Sequence, residues 1–155
     1  MKIGIIGSGY VGLVAAACFS EMGNEVTCID VDIKKIDNLK KGKVPIYEPG
    51  LSQLVIENQN KKTLFFSTDI KLALENTAVV FIAVGTPMGD DGSADMQYVL
   101  NVASSIGKNL SDHIVIVNKS TVPIGTAEKV RDVIQKELDE RSSSVTFDVV
   151  SNPEF

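Results

Sequence analysis

The sequence predicts an α/β fold: a doubly wound parallel sheet of six strands in the order 3-2-1-4-5-6. Three observations carry that reading. Short apolar runs alternate with helical runs along the whole chain, the pattern of repeated strand–helix–strand units. The run at 78–84, Ala-Val-Val-Phe-Ile-Ala-Val, is almost unbroken, as in a strand covered on both faces. The first apolar run, 2–6, breaks at once into Gly7-Ser8-Gly9-Tyr10-Val11-Gly12, a turn that joins a strand to a helix.

The first unit runs from the strand at 2–6 through that turn to a helix at 14–22, closed by Gly23-Asn24, and a second strand at 25–29 ending at Asp30. Each glycine has a physical task. Gly7 lets the chain turn sharply, Gly9 lets a pyrophosphate approach the backbone, and Gly12 lets the helix pack closely on the strands. The helix N-terminus then faces the phosphates with free amides and a positive dipole end, for about 0.3–2 kcal/mol of charge stabilisation. Asp30 stands at the right distance to accept hydrogen bonds from the adenine-side ribose, with Asp32 as its rival. A carboxylate there repels the extra phosphate of NADP, so the predicted ligand is NAD. The alternative is a purely structural strand–turn–helix with no ligand.

The remaining elements follow in order. Residues 32–41 form a helix with Ile33, Ile36 and Leu39 at helical spacing, ended by Gly42. Lys35 in its first turn is either a cofactor contact near the ribose or part of a solvated face. The stretch 44–51, with two prolines and a glycine, is a loop. Pro49 is expected in the first turn of a helix reaching about residue 58, with Leu51, Leu54 and Val55 inward. A strand at 64–67 precedes a helix at 69–76 that Thr68 or Asp69 can cap. The strand at 78–84 opens at its carboxyl end into Gly85-Thr86-Pro87, where ligands bind in such sheets, making Thr86 a candidate contact. The acids of 90–95 lack the alternating spacing of a calcium loop and read as a polar turn. A helix at 95–110 carries Val99, Val102, Ala103 and Ile106 inward, and a strand at 114–117 runs into Asn118-Lys119-Ser120-Thr121. Thr121 is either a cleft residue or a loop hydroxyl bonding its own backbone. Thr126 is expected to cap a helix at 127–140, with Glu128 in its first turn. A polar turn at 141–144 leads to the last strand, 147–150.

Composition narrows the partners. The chain has 155 residues, the size of one domain, and is 44% hydrophobic, enough for a core. A net charge of −5 argues against a nucleic-acid backbone. No apolar run is long enough to span a membrane, and Met1 opens directly into the first strand, unlike a signal peptide. Cys18 and Cys28 form no CxxC and read as buried free thiols, in keeping with a reducing cytoplasm. His113 is the only histidine and is expected at the surface, so a His-based triad or multi-His metal site has little support, and no metal is expected.

Six segments in register carry a resemblance: residues 7–12; Ile46-Tyr47-Glu48-Pro49-Gly50-Leu51; Val84-Gly85-Thr86-Pro87; 91–95; Lys119-Ser120-Thr121-Val122-Pro123; and Asn152-Pro153-Glu154-Phe155. Together they resemble the NAD-binding domain of the UDP-glucose/GDP-mannose dehydrogenase family over the whole chain, and the Ile46–Leu51 loop tilts the likeness to the UDP-glucose 6-dehydrogenases. The resemblance implies a Rossmann-type domain in an enzyme that oxidises the sugar's 6-hydroxymethyl group to a carboxylate with two NAD and one water, through a cysteine-bound thioester. By motif it implies NAD contacts from Gly7, Gly9, Tyr10, Val11, Gly12, Asp30, Lys35, Thr86, Ser120 and Thr121. It further implies that Thr121 helps position the hydrolytic water and that Glu154 is general base in the hydrolysis. Without the resemblance Glu154 reads only as a terminal charge.

Family members are more than twice this length, and their nucleophilic cysteine, oxyanion lysine and UDP-sugar pocket fall beyond residue 155. The expectation is therefore one cofactor domain over 1–155 that binds NAD without turning over, meeting UDP-glucose only together with the remainder. The full-length family member is expected as a homodimer or higher, its contacts mostly outside this span. Alternatives are a stand-alone NAD-binding sensing module, the cofactor domain of a GDP-mannose or UDP-N-acetyl sugar dehydrogenase, and a 3-hydroxyacid or phosphogluconate type of oxidoreductase.

Overall fold

The computed structural model describes residues 1–153. Along the chain run β1 (Lys2–Ile6), α1 (Tyr10–Glu21), β2 (Glu25–Ile29), α2 (Ile33–Lys40), α3 (Leu51–Asn60), β3 (Leu64–Ser67), α4 (Lys71–Leu74), β4 (Val79–Ile82), α5 (Gln97–Asn109), β5 (Ile114–Asn118), α6 (Thr126–Glu140) and β6 (Phe147–Ser151). The strands form one parallel sheet in the order β3-β2-β1-β4-β5-β6, as the alternation of elements predicts.

Register sorts the side chains into two layers. Ile3 pairs with Val26 and Val26 with Leu64; Ile5 pairs with Cys28 and Cys28 with Phe66. Parallel partners point the same way, so these six share one face, where α1, α2 and α3 bring Leu13, Ala16, Ile36, Leu39, Leu51 and Val55. Ile6, Val80, Ile82, Ile114, Ile116 and Phe147 turn to the other face, under Val99, Ala103 and Ile106 of α5 and Val130, Ile134 and Leu138 of α6. The sheet is thus wound first on one side and then on the other, and the change of side falls between β1 and β4. Helix α4 sits on the second side, where its Ala73 carbonyl closes over Gly4 of β1.

Several local expectations are corrected. Helix α1 starts at Tyr10 rather than 14, because Gly9 is already its extended N-cap and Gly12 is tolerated in its first turn. Pro49 lies ahead of α3, whose N-cap is Gly50 at φ +82. Helix α4 is a single turn: Glu75 is extended and Asn76 has φ +55, so residues 75–76 leave the helix. Asp69 still serves its start, accepting from the Lys71 amide at 3.0 Å. Thr126 is the first residue of α6, not its cap; its Oγ1 donates to the Pro123 carbonyl at 2.7 Å while Gly125, at φ +87, is the N-cap. Ile33 is 65% exposed although it keeps helical spacing with the buried Ile36 and Leu39. Cys18 is exposed and only Cys28 is buried. His113 is exposed as expected, with Nδ1 at 2.9 Å from Thr146 Oγ1. The acids of 90–95 do form a polar turn: Asp91 Oδ1 accepts from the Ser93 amide and hydroxyl at 3.0 and 2.6 Å. No helix among the described residues is long and apolar enough to cross a membrane.

Candidate cofactor cleft

The glycine turn is an interlock of backbones. Gly7 leaves β1 at φ +107, and its amide donates to the Ile29 carbonyl at 2.7 Å. A Cβ on Gly7 would stand 2.4 Å from the Ala83 carbonyl oxygen, and one on Gly12 would stand 1.9 Å from that of Gly7. The end of β1, the first turn of α1 and the end of β4 are therefore packed main chain to main chain. Gly9 differs: a Cβ there would meet nothing within 4 Å. Its open side lies at the start of α1, which no side chain caps. A helix N-terminus with an open glycine before it fits a phosphate group, with main-chain amides and dipole both directed at it.

The carboxyl ends of the strands complete the cleft. Gly9, Tyr10, Val11, Ala83, Val84, Gly85, Thr86, Lys119, Ser120 and Thr121 line it, over the ends of β1, β4 and β5 where the strand order reverses. Thr86 Oγ1 donates to the Thr121 carbonyl at 2.8 Å and ties the two far loops together. Ser120 is buried, and its Oγ donates to the Val84 carbonyl at 2.8 Å, so this hydroxyl holds loop to loop. The phenol of Tyr10 donates to Glu48 Oε2 at 2.9 Å. Beneath the floor, Asn118 is fully buried, and neither atom of its amide has a partner among the described residues. A wider concavity bordered by Arg131, Ser144 and Phe147 lies at the amino end of β6, away from the switch point.

Asp30 sits at the tip of β2. Its Oδ2 accepts from the Ser8 amide at 3.0 Å, the Ser8 hydroxyl at 2.6 Å and Lys35 Nζ at 3.2 Å. Its Oδ1 accepts from the Asp32 amide at 3.0 Å. Burial alone would raise the pKa of this carboxyl, but the bonds from Ser8 and Asp32 and the Lys35 ammonium outweigh it and hold the group below its ordinary value. Asp30 is thus a fixed carboxylate. Asp32, its rival, is spent as the cap of α2, accepting from the Lys35 amide at 3.1 Å. Lys35 is neither a free solvated lysine nor part of the cleft lining: it is the ion-pair partner of Asp30.

Of the predicted site residues, the cleft brings together Gly9, Tyr10, Val11, Thr86, Ser120 and Thr121. Gly7 and Gly12 are buried beneath it, and Asp30 with Lys35 forms a separate station at the tip of β2. Glu154 lies outside the described residues. Sequence reasoning missed Ser8 and Glu48, whose partners are 22 and 38 residues away in the chain and leave no local signal. Cys28 offers no nucleophile: burial, aided by the Asp30 charge, pushes its thiol up to about 12.

The model of the UDP-glucose/GDP-mannose dehydrogenase family, NAD binding domain, matches residues 1–155. The chain belongs to this family. It is 52% identical over 154 residues to the UDP-glucose 6-dehydrogenase TuaD of Bacillus subtilis, covering 99% of this chain and 33% of that protein. Among solved structures, a UDP-glucose dehydrogenase from Pyrobaculum islandicum superposes with a TM-score of 0.89 at 37% identity, over 99% of this chain and 36% of the other. A ternary complex of GDP-mannose dehydrogenase from Pseudomonas aeruginosa gives 0.89 at 41% identity, over 100% and 36%. The chain thus spans about a third of the length of the family members it matches, the third that the family's NAD-binding domain describes.

Proposed function

We propose that the chain is the cofactor-holding part of an NAD-dependent UDP-glucose 6-dehydrogenase, and that alone it binds NAD without turnover. The observation that carries this reading is the open face of Gly9 at an uncapped helix N-terminus, set in a cleft at the topological switch point. The pyrophosphate lies against Gly9 and the amides of Tyr10 and Val11, above the Gly7–Gly12 interlock that holds α1 close. The adenine-side ribose meets Asp30, whose charge is fixed by Ser8 and by Lys35 at 3.2 Å. Thr86, Ser120 and Thr121 form the wall toward the reacting end, with Thr121 and Glu154 serving the water that completes the oxidation. Bound NAD supplies the hydride acceptor.

In the full-length enzyme this chemistry converts UDP-glucose, two NAD and water to UDP-glucuronate and two NADH, with the nucleophile and sugar pocket outside residues 1–155. Assembly as a homodimer or higher and residence in the cytoplasm belong to that whole enzyme. UDP-glucose is favoured over GDP-mannose by the 52% identity to a UDP-glucose 6-dehydrogenase, against 39% to the GDP-mannose 6-dehydrogenase of P. aeruginosa.

Calorimetric titration of NAD into the purified chain tests the reading, with NADP as comparison. Saturable NAD binding with much weaker NADP binding is expected. A folded chain that binds neither overturns it; equal binding of the two removes the role given to Asp30.

A further inference from the structure

We propose that Ser8 is a specificity-determining positioning residue: fully buried and out of a ligand's reach, it holds the Asp30 carboxylate so that the site accepts a free ribose and refuses a 2′-phosphate. This rests on the NAD reading above and deepens it, because the choice of dinucleotide then depends on a residue behind the acid as well as on the acid.

Ser8 stands one position ahead of Gly9, the N-cap of α1. A serine at the head of a helix commonly caps it, yet no side chain caps α1. The Ser8 hydroxyl crosses instead to the tip of β2, 22 residues on, and donates to Asp30 Oδ2 at 2.6 Å. The Ser8 amide donates to the same oxygen at 3.0 Å. One residue thereby leaves the first amides of α1 to a phosphate and grips the acid meant for the ribose. The grip is anchored, since Ser8 directly follows Gly7, whose main chain is packed against Ala83.

Asp30 is held through both oxygens. Oδ2 takes the two Ser8 donors and Lys35 Nζ at 3.2 Å; Oδ1 takes only the Asp32 amide, at 3.0 Å, and keeps capacity for a ligand hydroxyl. The bond from the Ser8 hydroxyl is the shortest of the four, and hydroxyl-to-carboxylate bonds are among the strong ones. The charged groups that bear on Asp30 are the Lys35 ammonium and the Asp32 carboxylate at the start of α2, with the Cys28 thiol buried beneath and pushed up to about 12. An ammonium by itself favours a phosphate; here the Asp30 charge, 3.2 Å away, neutralises it. Burial raises the Asp30 pKa, and the Ser8 hydroxyl leads the bonds that bring it below its ordinary value. Without that hydroxyl the carboxylate is less firmly held and takes up a proton at higher pH. Either change returns Lys35 to a phosphate.

The test is calorimetry of NAD and of NADP across pH, with a thermal unfolding curve for every variant. Ser8→Ala lowers the ratio of NAD to NADP affinity by about fivefold at neutral pH, as expected for one bond to a charged group lost. It also moves the acid loss of NAD binding to higher pH. Comparison with wild type at the same pH cancels the titration of the NADP phosphate itself. In an Asp30→Asn background, Ser8→Ala changes the ratio no further. Ser8→Cys, of nearly the same shape with a weak donor, carries the test should Ser8→Ala fail to fold. Equal weakening of NAD and NADP with the acid limb unmoved is the mark of a merely structural serine and overturns the proposal while leaving the NAD reading intact. A change in the ratio that persists in the Asp30→Asn background overturns it as well. A folded wild-type chain that binds no NAD overturns both.

Discussion

At the scale of single residues, two glycines three positions apart answer to different forces. Gly12 has no room for a side chain, with the Gly7 carbonyl oxygen 1.9 Å from the place of its Cβ. Gly12→Ala is expected to cost about 1–3 kcal/mol, read as a lower urea midpoint. Gly9 has all the room it needs. Gly9→Ala should leave stability within about 0.5 kcal/mol of wild type while weakening NAD binding, because the methyl fills the phosphate's place. Asp30 gives a pH signature. Its folded pKa is depressed, so its contribution to stability is present above the unfolded carboxyl's pKa and is lost as pH falls through the folded value. Thermal unfolding of wild type should therefore soften in acid relative to Asp30→Asn, which shows no such step. The same variant should lose about tenfold in NAD affinity and narrow the gap to NADP, as expected for a charged acceptor removed. The two thiols separate as well. Cys18 should react at once with a thiol reagent at neutral pH, and Cys28 only on unfolding. With its folded pKa raised to about 12, Cys28 also contributes stability that is present below the unfolded thiol's pKa and fades as pH rises toward 12.

At the scale of elements, what could be read in advance follows from range along the chain. The strands, their order and the turn chemistry of residues 7–12 were legible because apolar runs and glycines are local signals. Helix ends were less so. Nothing local distinguishes Thr126 as a cap from Thr126 donating to Pro123, and the extended Glu75 and left-handed Asn76 end α4 after one turn where sequence spacing allowed two. Cross-links between elements were invisible. Arg141, within a segment readable only as a polar turn, reaches back to α5: its Nε donates to the Gly107 carbonyl at 2.9 Å and its guanidinium also donates to the Leu110 carbonyl. It thus ends α6 and satisfies the carbonyl end of α5 in one contact. Arg141→Met should cost about 1–3 kcal/mol in chemical denaturation, the range for stranding carbonyls that a cation had served. Arg141→Lys should recover only part, since one ammonium does not reproduce the two-pronged fork.

At the scale of the whole molecule, the candidate site was legible where it is one turn and obscure where it is a meeting of distant loops. Gly9, Tyr10, Val11, Thr86, Ser120 and Thr121 were each marked by a strand end, and the sheet order placed them together. That Asp30 arrives already bonded to Ser8 and Lys35 could be seen only once β1 and β2 were side by side. The change of side between β1 and β4 has a consequence for folding and motion. The two layers of helices lie on opposite faces, with α4 of the second layer closing over β1, and the halves of the sheet are joined by β1–β4 pairs such as Ile3 with Val79, among the longest loop closures in the chain. Native domains open in contiguous units of supersecondary structure, and the β1–β4 pairing is where the two halves of this sheet meet. The cleft straddles it, with Gly9 to Val11 on one bank and Thr86 to Thr121 on the other. A dinucleotide laid across both banks acts as a rivet: amide hydrogen exchange in β1 and in β4–β5 should slow together on adding NAD, while the outer strand β3 changes least.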